Sequence, residues 1–144
     1  MKETGGEADF SGVLVDTSAW IKFFREGNSP EAAHLSYLLE IGQAAYCAPI
    51  RVEVISGARS AREFALLEKF FSALILFEIS NEIWAKVEDA RFRLARMGYQ
   101  AAIVDLVIAC VAENYKAPLW SLDSDFKFIR EVINFPRYIP EQMR

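Results

Sequence analysis

The sequence predicts an α/β domain in which a mainly parallel sheet of four to five strands lies between two layers of helices. Two observations lead to this prediction. Short apolar runs rich in β-branched residues, such as 12–16, alternate with longer segments of helical periodicity. No linker, repeat or low-complexity tract interrupts this alternation, which is typical of a three-layer α/β fold. The chain has 144 residues, 53% of them hydrophobic, which is enough to fill the core of one such domain.

The predicted strands are short and bounded by turn residues. Because most are followed by a helix, we expect them to pair in parallel, with their carboxyl ends at one edge of the sheet. The predicted strands are 12–16, 44–48, 74–79, 118–121 and a last edge strand at 133–135.

Capping signals and apolar periodicity predict the helices. Thr17 or Ser18 is suited to cap the first helix, Pro30 fits a first helical turn, and 60–63 matches a capping box. Gly98 suits the left-handed residue that ends a long amphipathic helix. The predicted helices are 19–24, 30–41, 49–57, 61–71, 80–97, 102–116 and 124–132.

Composition bounds the class of protein. The net charge of −4 is not that of a general nucleic-acid binder, although a bound metal can reverse the charge of an acidic site. Cys47 and Cys110 lack metal-ligand spacing and are expected to be buried thiols, which fits a cytoplasmic location. No apolar run approaches the roughly 20 residues of a membrane span. The polar segment 1–11 is expected to be a flexible leader without a secretion signal.

Acidic side chains recur where apolar segments end or helices begin. Asp16 follows the apolar run 12–15, Glu53 and Asp105 interrupt apolar stretches, and Asp123 with Asp125 follows another apolar run. Transfer of a carboxylate into apolar surroundings costs several kcal/mol unless it is paired or binds a metal. The sequence therefore predicts that these acids meet in space and share a cation.

Each acid also fits an ordinary structural role. Asp16 fits the cap of the helix that follows it, and Glu53 fits an ion pair with Arg51 or Arg59 on a solvated face. Asp105 fits a helix N-terminus, and the last two acids fit a turn. These roles can hold one by one, but they do not explain the order in which all the acids occur.

Other kinds of catalytic chemistry lack their residues. His34 is the single histidine and has no evident partner, so a surface or partly packed position is favoured over catalysis. No Ser-His or Cys-His arrangement and no glycine-rich phosphate loop is evident. Oxygen-only ligands favour Mg²⁺ or Mn²⁺ over zinc. The remaining chemistry is metal-assisted hydrolysis, with one or two ions.

Four segments, in this order, resemble the motifs of PIN-domain nucleases. Within that superfamily the likeness is greatest to the VapC group, the toxins of bacterial and archaeal toxin–antitoxin pairs. The resemblance covers most of the chain, and its order is more specific than any one motif. The segments are VDTSAWI (15–21), EVISG (53–57), DLVIA (105–109) and SLDSDF (121–126).

The resemblance implies a Mg²⁺- or Mn²⁺-dependent endoribonuclease toxin. It also implies a homodimer that binds a VapB-like antitoxin, in some cases as a larger complex. Two alternatives stay open: a PIN-like RNA-processing nuclease outside a toxin–antitoxin pair, and an inactive PIN-fold binding module. The implied metal-holding and catalytic residues are Asp16, Glu53, Asp105 and Asp123, with Asp125 as an additional candidate and Thr17 or Ser18 as a supporting hydroxyl.

The rest of the chain is assigned more simply. Arg93 and Arg96 lie near the predicted site and are expected either to contact RNA or an antitoxin or to form an ordinary solvated face. Trp20 is expected in the core or in a dimer surface. The expected division is a leader at 1–11, a PIN domain at 12–135 and a C-terminal tail at 136–144.

Overall fold

The computed structural model describes residues 12–141, which form a four-stranded parallel sheet flanked by seven helices. This confirms the predicted fold class. The strands are β1 (Val13–Val15), β2 (Ala44–Tyr46), β3 (Ile75–Leu76) and β4 (Leu119–Trp120). The helices are α1 (Thr17–Arg25), α2 (Pro30–Glu40), α3 (Ala48–Ile55), α4 (Ala61–Ser72), α5 (Asn81–Arg96), α6 (Ile103–Tyr115) and α7 (Phe126–Ile129).

The sheet order is β3-β2-β1-β4, so β1 lies inside the sheet between β2 and β4. Leu14 pairs with Ala45 on one side and with Leu119 on the other. Because every pairing is parallel, the residues that follow β1, β2 and β4 emerge at the same edge of the sheet. This edge is where the site described below is found.

An aromatic cluster joins α1 to α4. Trp20 is fully buried, and its ring lies 5.7 Å from that of Phe70 and 5.3 Å from that of Phe71, centroid to centroid. Both contacts are edge-to-face, the arrangement that aromatic quadrupoles favour. Among the described residues, the Trp20 Nε1–H has no hydrogen-bond acceptor. Of the two positions expected for Trp20, the core or a dimer surface, the structure shows the core.

The predicted edge strand at 133–135 is wrong. Leu119 instead donates its amide to the carbonyl of Pro136 and accepts from the amide of Tyr138, forming a single parallel bridge opposite Arg137. The side chain of Phe135 is buried, so this residue packs into the core while the backbone two residues later meets the sheet edge. The apolar run was therefore a packing signal rather than a strand signal.

The expectation that His34 has no partner is also wrong. Its side chain is only 8% exposed, and its Nε2 lies 2.6 Å from the hydroxyl of Tyr138. The His34 ring also meets the buried ring of Trp120 edge-on. Burial lowers the pKa of His34. Tyr138 lies 104 residues further along the chain, which is why local sequence did not reveal this contact.

The cap of α4 gives a first testable prediction. The Ser60 hydroxyl accepts the amide of Glu63 at 3.0 Å, whereas the Glu63 carboxylate accepts the amide of Arg59 rather than that of Ser60. Ser60→Ala is therefore expected to lower the free energy of unfolding by about 1 kcal/mol. Urea denaturation checks this, and Ser60→Asp, which keeps an acceptor at the cap, should stay near the wild-type value. Equal losses in both variants would contradict the capping role.

Candidate active site

Asp16 directly follows β1 and is buried, with only 5% of its surface exposed. It occupies the N-cap position of α1, but its side chain makes no capping hydrogen bond there. Its Oδ2 instead accepts the hydroxyl of Ser18 at 3.0 Å and that of Ser121 at 2.8 Å. Burial raises the pKa of Asp16, and the two hydroxyls partly oppose this rise. The two hydroxyls therefore tie the Asp16 carboxylate to the start of α1 and to the loop after β4.

Ser121 joins the loop after β4 to the start of α1. Besides donating to Asp16, its hydroxyl accepts the amide of Asp123 at 3.0 Å. In the same way the Ser18 hydroxyl accepts the amide of Leu122 at 3.0 Å. The sequence motif contained Ser121, but sequence reasoning did not select it as a site residue. The signal available in the sequence was its position two residues before Asp123, from which a serine hydroxyl can accept the amide of that acid.

Three carboxylates lie together at this edge. One oxygen from each of Asp105, Asp123 and Asp125 lies within 4.8 Å of the others. Asp105 is half-buried in the first turn of α6, whereas the other two are exposed on the loop before α7. Burial, followed by the negative charge of Asp16, Asp123, Asp125 and Glu53, raises the pKa of Asp105 to about 6.

The two loop acids differ in their local roles. The Asp123 carboxylate accepts the amide of Asp125 at 2.9 Å, which closes a short turn. Asp125 stands at the N-cap of α7, but its side chain makes no capping bond. Asp123 therefore shapes the turn. The carboxylates of Asp123 and Asp125 both lie beside that of Asp105.

Glu53 approaches from α3. Its Oε1 accepts the hydroxyl of Thr17 at 2.5 Å. Arg51, which sequence reasoning offered as its ion-pair partner, lies 3.6 Å from Glu68 instead. Glu53 and Asp16 are outside the group of three carboxylates, yet the charge of each helps to raise the pKa of Asp105. All five acids thus share one electrostatic environment.

Tyr99 borders the site and was not selected from the sequence. Its hydroxyl lies 3.5 Å from the carbonyl of Asp125, and its ring stacks on Phe128 with centroids 4.7 Å apart. Burial and the nearby carboxylates raise the pKa of Tyr99. No local pattern around Tyr99 signals this position.

The two predicted contact arginines lie on the exposed part of α5. Arg93 is 3.5 Å from Asp89, one turn earlier on the same helix, and the Arg96 guanidinium lies 5.7 Å from the centre of the Phe92 ring. These contacts are those of a solvated helix face. A contact of Arg93 or Arg96 with RNA or an antitoxin stays a prediction.

The donor set fits a hard divalent cation. Carboxylate oxygens are the ligands that Mg²⁺ and Mn²⁺ prefer, and no described thiol or imidazole belongs to the group of carboxylates. Burial is the main cause of the raised pKa of Asp105, and the negative charge of the neighbouring acids raises it further, so a cation at this edge would offset their repulsion. The arrangement can therefore concentrate positive charge and ordered water at the edge of the sheet.

Comparison with known proteins identifies the family. A family model described as PIN domain matches residues 13–132. The chain is also 31% identical, over 126 residues, to the ribonuclease VapC11 of Mycobacterium tuberculosis; the match covers 85% of this chain and 94% of that protein. The chain belongs to the PIN-domain family, among the VapC ribonucleases. The ribonuclease VapC18 of the same organism is 27% identical to this PIN domain, with coverage of 85% and 90%.

Solved structures share the fold at lower identity. The VapBC2 structure from Rickettsia felis, bound to a DNA fragment from its promoter, superimposes on the PIN domain with a TM-score of 0.70 and 17% identity. The match covers 88% of this chain and 96% of the other. VapC20 of Mycobacterium tuberculosis, a toxin that cleaves the sarcin-ricin loop, gives a TM-score of 0.62 at 14% identity, with coverage of 90% and 100%. At these identities the likeness concerns the fold.

Proposed function

We propose that this PIN domain is a metal-dependent endoribonuclease and the toxin of a toxin–antitoxin pair. The observation that carries the proposal is the convergence of Asp105, Asp123 and Asp125, with Asp16 and Glu53 beside them, at the carboxyl edge of the sheet. The ribonuclease relatives support RNA as the substrate.

The acids have distinct roles in this proposal. Asp105, Asp123 and Asp125 offer carboxylate oxygens to Mg²⁺ or Mn²⁺. When bound, the ion supplies an activated water and offsets negative charge at the scissile phosphate. Asp16 is held by the hydroxyls of Ser18 and Ser121, so its carboxylate keeps a fixed orientation at the site.

Glu53 joins the acidic edge from α3, which follows β2. The hydroxyl of Thr17 holds the Glu53 carboxylate. Because Glu53 is exposed to solvent, its carboxylate is placed to orient water or to bind the ion through water. Thr17 and Ser18 are adjacent in α1, and each positions a different acid. The two hydroxyls are therefore positioning groups rather than ligands.

Partners and location form part of the proposal. Solved relatives in toxin–antitoxin complexes support a VapB-like antitoxin as partner. A homodimer as the working unit is part of the same proposal. A cytoplasmic location gives access to RNA and keeps thiols reduced. Cys47 and Cys110 are buried, and burial raises their pKa values to about 12 and about 11, which favours the protonated thiol. No helix among residues 12–141 has the length and hydropathy of a membrane span.

Incubation of the purified protein with total RNA tests the function. We expect cleavage with Mg²⁺ or Mn²⁺, none with excess EDTA, and a loss of at least ~100-fold in rate for Asp16→Asn. Lys69→Gln, an exposed change on α4, is the matched control and should cleave at the wild-type rate. Circular dichroism establishes that each variant is folded.

Two results would contradict the proposal. Cleavage that persists in EDTA, or in both Asp16→Asn and Asp105→Asn, would show that the acidic site is not responsible. A folded protein that binds RNA but never cleaves it would favour an inactive PIN-fold binding module. Expression in a bacterial host separates a toxin from an RNA-processing nuclease. A toxin should arrest growth, and co-expression of a DNA-binding protein encoded by an adjacent gene should relieve the arrest.

A further inference from the structure

A cleft of about 440 Å³ opens beside the acidic site, between the loop after β4 and the C-terminal segment 135–140. The loop residues 121–124 form one wall of this cleft. The same loop contains Ser121, which binds Asp16, and Asp123, which belongs to the group of carboxylates. A molecule that occupies the acidic site can therefore extend into the cleft along a continuous surface.

Three cationic side chains line the cleft: Lys127, Arg130 and Arg137. All three residues are exposed. In the described part of the chain, no carboxylate lies within ion-pair distance of any of them. Three cations around one cleft are distinctive in a chain whose net charge is −4 and whose neighbouring site is acidic.

Contacts with Phe135 hold the guanidinium of Arg130 in place, and the edge of the sheet fixes the backbone of Arg137. Arg130 donates from Nη1 to the carbonyl of Phe135 at 2.8 Å, and its guanidinium lies 5.0 Å from the centre of the Phe135 ring. Arg137 lies on the bridge with Leu119, so its backbone is fixed at the edge of the sheet. A guanidinium that is already held, like that of Arg130, loses less conformational entropy on binding than a mobile one.

We propose that this cleft binds backbone phosphates of the RNA strand next to the bond that is cleaved. The inference rests on the proposed function, because it takes RNA as the substrate. The three cations favour an anionic ligand, and a polymer is favoured because Asp123 belongs both to the wall of the cleft and to the group of carboxylates. Lys127 and Arg137 are positioning residues for the substrate and are not catalytic.

The binding test measures affinity without cleavage. Fluorescence anisotropy of a labelled single-stranded oligoribonucleotide is recorded in EDTA at several salt concentrations. We expect the double variant Lys127→Gln/Arg137→Gln to raise Kd by about three- to ten-fold. The slope of log affinity against log salt should fall by about 0.7 for each phosphate that the variant no longer neutralises, which gives about 1.4 for the double variant.

Kinetics and matched variants distinguish a role in substrate binding from a role in catalysis. In Mg²⁺ the double variant should raise KM by a factor similar to that in Kd and leave kcat unchanged, because its residues do not touch the reacting atoms. Lys127→Arg/Arg137→Lys should restore affinity, since it keeps both charges. Lys69→Gln lies on α4, which leads into β3 at the opposite end of the sheet from β4, and should change neither Kd nor the salt slope.

The outcomes separate this inference from the proposed function. A folded double variant with wild-type Kd, KM and salt slope overturns the cleft assignment even if the wild type cleaves RNA. A wild-type protein that binds RNA but never cleaves it contradicts the proposed function. In that case the binding data in EDTA still test whether the cleft binds RNA phosphates. Loss of binding to an acidic protein segment, with RNA affinity unchanged, also overturns the assignment.

Discussion

Asp105→Asn should abolish RNA cleavage and, in the absence of metal, make the protein more stable. The loss of rate is expected to reach at least ~100-fold, because this side chain belongs to the group of carboxylates that fits the metal. The gain in the free energy of unfolding at neutral pH is about 1 kcal/mol, discounted for the partial exposure of the group. An inactive variant that is more stable than the wild type excludes misfolding as the cause of inactivity.

The pH dependence has a definite sign. The pKa of Asp105 rises from 3.8 to about 6 on folding, so the folded protein holds this proton more tightly than the unfolded chain. The contribution of Asp105 to the free energy of unfolding is therefore most favourable below about pH 4 and is lost as the pH rises to about 6. Asp16, whose pKa is also raised, acts in the same direction. Asp105→Asn should flatten this fall in stability.

Urea denaturation in EDTA across this pH range measures the effect. Addition of Mg²⁺ should stabilise the wild type more than Asp105→Asn, because the ligand set of the variant is incomplete. Asp89→Asn, which changes an exposed acid on α5, is the matched control and should stay within about 0.5 kcal/mol of the wild type. If Asp105→Asn is destabilised in EDTA at neutral pH, the acids do not repel one another as described.

Trp20→Ala should have the largest effect on stability, a loss of about 3–5 kcal/mol in the free energy of unfolding. The side chain is fully buried and its ring meets Phe70 and Phe71 edge-on. Its removal leaves a cavity where α1 packs against α4. Because α1 carries Thr17 and Ser18, activity should also fall at temperatures at which the variant is still folded.

Two companion variants distinguish cavity formation from loss of aromatic character. Phe24→Ala alters the same cluster at a position that is 43% exposed, so it should cost about half as much or less. Trp20→Phe leaves a smaller cavity and also removes the Nε1–H that lacks an acceptor among the described residues, so its cost should be well below that of alanine. Equal losses for Trp20→Ala and Phe24→Ala would contradict the assignment of Trp20 as the central core residue.

Local signals in the sequence were sufficient for most of the fold. Ser29 and Ser60 accept the helix amides that capping rules predict, and Gly98 has the left-handed backbone expected after α5. Asp16 and Asp123 could be placed at one edge because parallel pairing brings the carboxyl ends of strands together. Order along the chain and strand direction together were enough to predict that the acids converge.

The remainder depends on contacts between distant residues. The hydrogen bond of Ser121 to Asp16 spans 105 residues, and that of His34 to Tyr138 spans 104. Neither has a local periodicity or a capping pattern. The division of roles between Asp123 and Asp125 was similarly out of reach, because it depends on which carboxylate faces a backbone amide two residues away. A motif gives the residue types of a loop but not their orientation.

The pairing of β1 with β4 also governs when the site can first exist. Asp16 is synthesised near the start of the chain, whereas Ser121, Asp123 and Asp125 follow more than 100 residues later. A nascent chain that lacks these later residues has neither the hydroxyl that orients Asp16 nor two of the three clustered carboxylates. A truncated translation product therefore has no complete site, and residue 125 must emerge from the ribosome before the acidic site can form.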